Sequence, residues 1–190
     1  MSAWLLVCAA APGGCERARG WFAEPRPQVE APHRHTSGAI SLAFPADWTL
    51  REEAAQEQDV TLRTLQLESP GEALLILQSF EPALAVDVDE HLERTLQALA
   101  AELGARGDPG PGARGEVVAF ERALLGAPRP ALRATITAPG EWAPRIVELV
   151  VVVLPTRTLV VLTTIPEADR ARAQPGFDLV LDTLAVADPR

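Results

Sequence analysis

Residues 146–165 read IVELVVVVLPTRTLVVLTTI, and the choice between one helix and two strands for this stretch decides the fold. As a single helix the twenty residues are just long enough to cross a bilayer. Glu148, Pro155 and Arg157 would then lie in the apolar layer, where an arginine near the centre costs about 2.5–3.5 kcal/mol. Two strands answer the same residues better. Eight of the nine residues from Ile146 to Leu154 are Val, Ile or Leu. β-Branched side chains suit a pleated surface, and Pro155-Thr156-Arg157 suits a hairpin break. Near-continuous apolarity further implies that both faces of this part of the sheet are covered by protein.

Working outward, the same logic orders the rest of the chain. Ile40, Leu42 and Phe44 alternate with smaller residues, which gives a half-buried strand, and Pro45-Ala46-Asp47 turns the chain into a short strand at Trp48 and Leu50. Residues 60–67 and 73–80 flank Glu68-Ser69-Pro70-Gly71-Glu72, whose Pro-Gly step is a turn signal, so a β-meander is expected. Residues 88–103 form the best helix. Asp87 is placed to cap it, Glu90 stands in the capping-box position, and Gly104 can end it. Leu92, Leu96, Leu99 and Leu103 make its apolar stripe, extended by Val88.

Residues 104–115 hold five glycines and two prolines and read as a surface loop. Strands are expected at 116–125 and 131–137 around Gly126-Ala127-Pro128-Arg129-Pro130, with a helix as the other periodic reading of 116–125. After Pro166, Glu167 and Asp169 open a helical segment that Pro175-Gly176 interrupts, and Phe177, Val180, Leu181 and Leu184 follow one helix face beyond it. No repeat occurs at periods of 20 to 50 residues. The fold class expected is α+β, an antiparallel sheet covered by helices. A domain over residues 38–187 would follow a Pro- and Arg-rich tether at 16–37 and a signal-like segment at 1–15.

Composition narrows function chiefly by exclusion. All 17 basic residues are Arg, and the missing Lys removes Schiff-base and P-loop lysine chemistry from this chain. Together with abundant Ala, Pro and Gly this reads as a GC-rich coding bias. A net charge of -9 repels a phosphate backbone, so no nucleic-acid partner is expected. Tyr is absent and His occurs only at 33, 35 and 91, which leaves few groups for proton transfer.

The two cysteines, Cys8 and Cys15, lie ahead of the domain. Trp4-Leu5-Leu6-Val7-Cys8-Ala9-Ala10 is a short apolar run, followed by Pro12-Gly13-Gly14-Cys15 and then a polar turn in composition. This resembles a bacterial lipoprotein signal, with Cys15 as the lipid-bearing first residue of the mature chain; Pro12 stands where an apolar residue is usual, and no basic residue precedes the run. Two acyl chains would hold the domain at a membrane surface. The plain alternative is a frayed terminus whose cysteines have no role.

The order of elements resembles the PsbP, Mog and DcrB superfamily. The residues that carry the likeness are Ile40-Ser41-Leu42-Ala43-Phe44-Pro45-Ala46-Asp47-Trp48, Leu125-Gly126-Ala127-Pro128-Arg129-Pro130-Ala131-Leu132, the late hairpin, and the closing 177–184 helix with Thr183-Leu184-Ala185-Val186. The resemblance implies an α/β/α sandwich. It also implies a non-enzymatic role among photosystem accessory proteins, a regulator of a nuclear-transport GTPase, envelope lipoproteins and secretion-effector chaperones. It transfers no functional residue, catalytic or ligand-binding.

Candidate sites are few. His33-Arg34-His35 has a spacing that could serve a metal, but no ligand set completes it, and a histidine pair in a tether is the plainer reading. Asp87, Asp89 and Glu90 lack the glycine turn of a calcium loop and suit a helix start. Serines 37, 41, 69 and 79 lie outside any Gly-x-Ser-x-Gly elbow, and His91 falls on the solvent side of its helix. Trp48 belongs to the core, whereas Trp142, in the turn Pro139-Gly140-Glu141-Trp142-Ala143-Pro144, is the better interface residue. No catalytic residue, metal or cofactor is assigned. The expected role is an envelope-associated binding or accessory module with a protein partner. The alternatives are a cytoplasmic chaperone-like module that shelters hydrophobic segments of secreted effectors and, more remotely, a small hydrolase built on His91.

Overall fold

In the computed structural model, residues 25–104, 114–137 and 144–187 are described, those at 99–104 and 114–116 by backbone alone. The late apolar runs are strands: β8 (Arg145–Val153) and β9 (Thr158–Pro166) pair antiparallel, with Val153 opposite Thr158. They lie in the middle of a seven-stranded antiparallel sheet with β3 (Thr49–Glu57), β4 (Val60–Glu68), β5 (Leu74–Glu81), β6 (Arg114–Leu124) and β7 (Ala127–Ile136). Its spatial order is β3-β4-β5-β9-β8-β7-β6. No helix of the described residues is long and apolar enough to cross a membrane.

Both faces are covered, as the valine density requires. On one face Val147, Leu149 and Val160 pack with Leu92 and Leu96 of α1 (Val88–Gly104). On the other, Val150, Val152, Leu159 and Val161 pack with Phe177, Val180 and Leu181 of α2 (Arg170–Thr183). The alternation of side chains along each strand sends neighbouring residues to opposite cores. The second core also holds Ile40, Leu42 and Phe44 of a separate three-stranded sheet, β1 (His33–Ser37), β2 (Ile40–Phe44) and β10 (Ala185–Val186), in the order β1-β2-β10. The architecture is the α+β, helix-covered antiparallel sheet expected, with the addition that the strand at Ile40 builds a small second sheet and does not join the meander.

Three local expectations are corrected. The tether does not extend to residue 37: His33–Ser37 is β1, paired with β2 through a turn at Gly38-Ala39. Residues ahead of it also dock, since Gln28 N–H donates to Asp47 Oδ1 at 2.8 Å and Ala46 N–H to Gln28 O at 3.1 Å. Residues 116–124 are strand, as expected, and not the helix that their periodicity also allowed. The β6–β7 turn is Leu125-Gly126, both at positive φ (54° and 72°), so Pro128, Arg129 and Pro130 lie in β7 and not in a loop. β7 pairs with β6 from Ala127 but with β8 only from Ala131, because prolines at alternate positions remove the N–H groups on the β8 side.

The third correction is α2, which runs unbroken through Pro175-Gly176. A turn of 3-10 helix at Glu167–Asp169 precedes it. Proline in a helix interior forfeits one hydrogen bond, and burial of Ala173, Phe177, Val180 and Leu181 outweighs that loss. Gly176 has a positional reason: a Cβ there would stand 2.6 Å from Trp48 Cζ2 and 3.1 Å from Pro27 Cβ. Trp48 itself is core, as expected, with Phe177 edge-on at 5.4 Å between ring centroids.

Candidate functional site

The densest polar cluster joins the two sheets. β1 presents His35 and Ser37 on one side of an extended chain, and β3 and β4 bring Glu52 and Arg63 to meet them. Glu52 Oε2 lies 2.9 Å from His35 Nε2, while Oε1 accepts from both the Ser37 hydroxyl and Arg63 Nη1. Arg63 Nη1 also donates to Ser37 Oγ at 2.7 Å. Hydrogen bonding from Ser37, against some desolvation and aided by His35 and Arg63, holds the Glu52 carboxyl below its ordinary range.

Chemically this arrangement is a tie. The Ser37 hydroxyl donates to a carboxylate and not to an imidazole, so it lacks the serine–base contact of a nucleophile. One carboxylate and one imidazole meet here. His33, two residues back, lies tilted against Phe44 with ring centroids 5.5 Å apart. Among the described residues no group of three or more His, Cys, Asp and Glu side chains could hold a metal ion.

A second cluster gathers on Glu148. Its side chain is buried on the α2 side of β8, and Oε1 accepts from Arg133 Nε at 2.8 Å and from Arg170 Nη2 at 3.0 Å. The carboxylate that counts against a membrane helix therefore fastens β7 and the start of α2 to the sheet. Arg133 also lies over the Phe120 ring at 4.5 Å.

The remaining candidates are placed as follows. Asp87 Oδ1 accepts the Glu90 N–H at 2.9 Å, a genuine helix cap, but the Glu90 carboxylate turns to Arg94 one turn on, leaving half of the expected capping box. Ser69 Oγ accepts from the Gly71 and Ala73 N–H groups and so closes the β4–β5 turn. Ser79 is buried in β5, and Ser41 pairs with Thr36 in the small sheet. His91 is half-buried, not solvent-facing, and burial followed by the nearby Arg94 charge lowers its pKa. Cys15, Trp142, Leu99, Leu103 and the loop over 105–113 lie outside the residues or side chains described.

Sequence reasoning missed Glu52 and Arg63 altogether. They lie 15 and 26 residues from Ser37, and no local pattern links them. The one available signal was Ser37-Gly38-Ala39-Ile40, a two-residue turn between alternating segments, which would have made His33–Ser37 a strand and given Ser37 a sheet neighbour.

No family model matches the sequence, and no curated protein matches it. Solved structures do. LpqN of Mycobacterium tuberculosis, described as involved in cell envelope biogenesis, is 16% identical, with a TM-score of 0.45 over 83% of this chain and 90% of its own. The cyanobacterial PsbP, CyanoP, of Synechocystis sp. PCC 6803 is 12% identical, with a TM-score of 0.47 over 94% of this chain and 100% of its own. A Bacteroides thetaiotaomicron protein is 10% identical, with a TM-score of 0.42 over 79% of this chain and 46% of its own. Each of these likenesses runs along most of this chain at low sequence identity.

Proposed function

We propose that this chain is a non-enzymatic binding or accessory module of a bacterial cell envelope, exported and held at a membrane by a lipid on Cys15. The observation that carries the binding half of this reading is the engagement of the chemistry-bearing side chains. His35, Ser37, Glu52 and Arg63 tie the two sheets; Glu148 ties β7 to α2; Asp87 and Ser69 cap a helix and a turn. These are fold-stabilising bonds that leave the molecule to act through its surface. The envelope half is supported by the apolar run ahead of Cys15. Between Cys15 and Gln28, where the chain docks on the domain, twelve residues are left to separate a membrane surface from it.

Intact mass of the native protein tests the anchor. A chain beginning at diacylated Cys15 in the membrane fraction is expected, and Cys15→Ala should move it to the soluble fraction. An unmodified Met1 in the cytosol would overturn the envelope reading in favour of the chaperone-like one. For the partner, Trp142 is assigned the contact: crosslinking in membranes should recover a discrete partner that Trp142→Ala weakens, and equal yield from the variant removes the assignment.

A further inference from the structure

The large sheet has two edges, and they differ in charge. β3 closes one with Arg51, Glu52, Glu53 and Glu57, a row of charges of the kind that blunts an open edge. β6 closes the other, and after the bulge between Arg114 and Val117 it reads Val117-Val118-Ala119-Phe120-Glu121-Arg122-Ala123-Leu124. The first four of these residues carry no charge. Val118 is 45% exposed, one of two large apolar side chains exposed among the described residues. Ala119, Glu121 and Ala123 are exposed as well.

The prolines of β7 fix which backbone groups of β6 are already used. A hydrogen-bonded cross-strand pair exchanges both of its N–H···O bonds. Pro128 and Pro130 have no N–H and stand opposite Ala123 and Glu121, so the bonded pairs are Arg129 with Arg122, Ala131 with Phe120 and Arg133 with Val118. The tight turn at Leu125-Gly126, with Leu124 opposite Ala127, keeps the same phase. Alternation then turns the N–H and C=O groups of Val117, Ala119, Glu121 and Ala123 away from β7, toward the open side. Among the described residues β7 alone pairs with β6.

The strand is also complementary to itself. In an antiparallel pair with a two-fold axis, directly opposed side chains lie on the same face of the sheet. An axis through Phe120 uses the regular stretch in full: Val117 faces Ala123 of the copy, Val118 faces Arg122, Ala119 faces Glu121, and Phe120 faces its own mate. No like charges are opposed. The outward groups of both copies then close about eight backbone hydrogen bonds. Phe120 meets its mate in a non-hydrogen-bonded pair, where side chains come closest, and Val118 gains the aliphatic stem of Arg122. Other axes are poorer. At Glu121 two carboxylates meet, at Arg122 two guanidinium groups meet, and at Ala119 the pairing runs into the bulge beyond Val117.

We propose that a second copy of this chain adds to the β6 edge, joining two large sheets into one through an antiparallel β6–β6 pair centred on Phe120. Strand pairing alone falls short of a standard interface, so the dimer is reversible and concentration-dependent. A net charge of -9 on each copy opposes it, and added salt strengthens it. The pairing is independent of lipidation at Cys15 and of the contact assigned to Trp142.

The test uses the full chain carrying Cys8→Ala and Cys15→Ala, so that neither acylation nor a native thiol contributes. Sedimentation velocity at physiological salt should show monomer passing to dimer as the concentration rises through the micromolar range. Ala119→Glu sets a carboxylate against Glu121 at both symmetric positions and should weaken association about tenfold or more, whereas Ala119→Arg should strengthen it. A merely structural role for this exposed position would not follow the sign of the charge. Ala119→Cys mixed with Glu121→Cys should form a mixed disulfide faster than either links to itself, because only the mixed pair stands face to face. Retained thermal unfolding of each variant shows that it has folded. A parent that stays monomeric at millimolar concentration, equal association of Ala119→Glu and Ala119→Arg, or self-linked cysteine dimers in excess of mixed ones overturns the pairing.

Discussion

At the scale of single residues, two positions show how neighbours distant in sequence set the value of a side chain. Replacing glycine by alanine within a helix ordinarily gains about 1 kcal/mol. At Gly176 the added methyl would meet Trp48 Cζ2 at 2.6 Å, so Gly176→Ala is expected to destabilise by about 1–3 kcal/mol, read as a lower melting temperature. A variant as stable as the parent would show that α2 moves freely away from Trp48. Glu52 is the second case. Its folded carboxyl titrates below the ordinary 4.5 because Ser37, His35 and Arg63 bond the charged form. The resulting stability is fully present above the unfolded value and is lost as pH falls through the folded one. Ser37→Ala should therefore flatten the acid side of the stability profile below about pH 4.5 while changing the neutral region less. An unchanged slope would remove Ser37 as the main cause. Neither contact is legible from Gly176 or Glu52 alone.

At the scale of elements, legibility follows the range of the determining interactions. α1 is written locally: Asp87 caps it, and Leu92 and Leu96 at helical spacing bury on the sheet. The β4–β5 hairpin is likewise local, since Ser69 bonds the turn that Pro70-Gly71 makes. β7 and α2 are not, because their prolines argue locally against regular structure and tertiary pairing or burial overrides them. β3 is a third kind of case. It is an edge strand, paired among the described residues with β4 alone, and nearly all of its residues are exposed. Glu53 and Glu57 share a face there, and such charges discourage pairing with another chain. Replacing both by valine should promote self-association at the β3 edge, detectable by sedimentation velocity. A double variant that associates no more than the parent would deny those charges that role.

At the scale of the whole molecule, stability depends on two covers for one sheet. One is built on α1 with Val86 ahead of it; the other combines α2 with the three-stranded sheet, into which β1 and β10 bring segments from opposite ends of the described chain around β2. The tie from His35 and Ser37 to Glu52 and Arg63 makes β1 part of the domain. A chain starting at residue 25 should melt like the parent. One starting at Gly38 loses a paired strand and that tie, about 2 kcal/mol or more, and should melt about 4–8 °C lower or fail to fold. Equal melting of the two would return residues 33–37 to the role of a tether.

The valine-dense hairpin, the meander, the first helix and the antiparallel α+β class were determined by the sequence itself. Each rests on periodicity, caps or turn residues within about twenty positions, where solvent and backbone geometry act directly on the chain. The second sheet, the passage of α2 through Pro175, and the meetings of Glu52 with Ser37 and of Arg122 with Arg129 were decided only by tertiary structure. Charge pairing and close packing depend on which residues fold to within a few ångströms of one another, and sequence spacing carries no record of that distance.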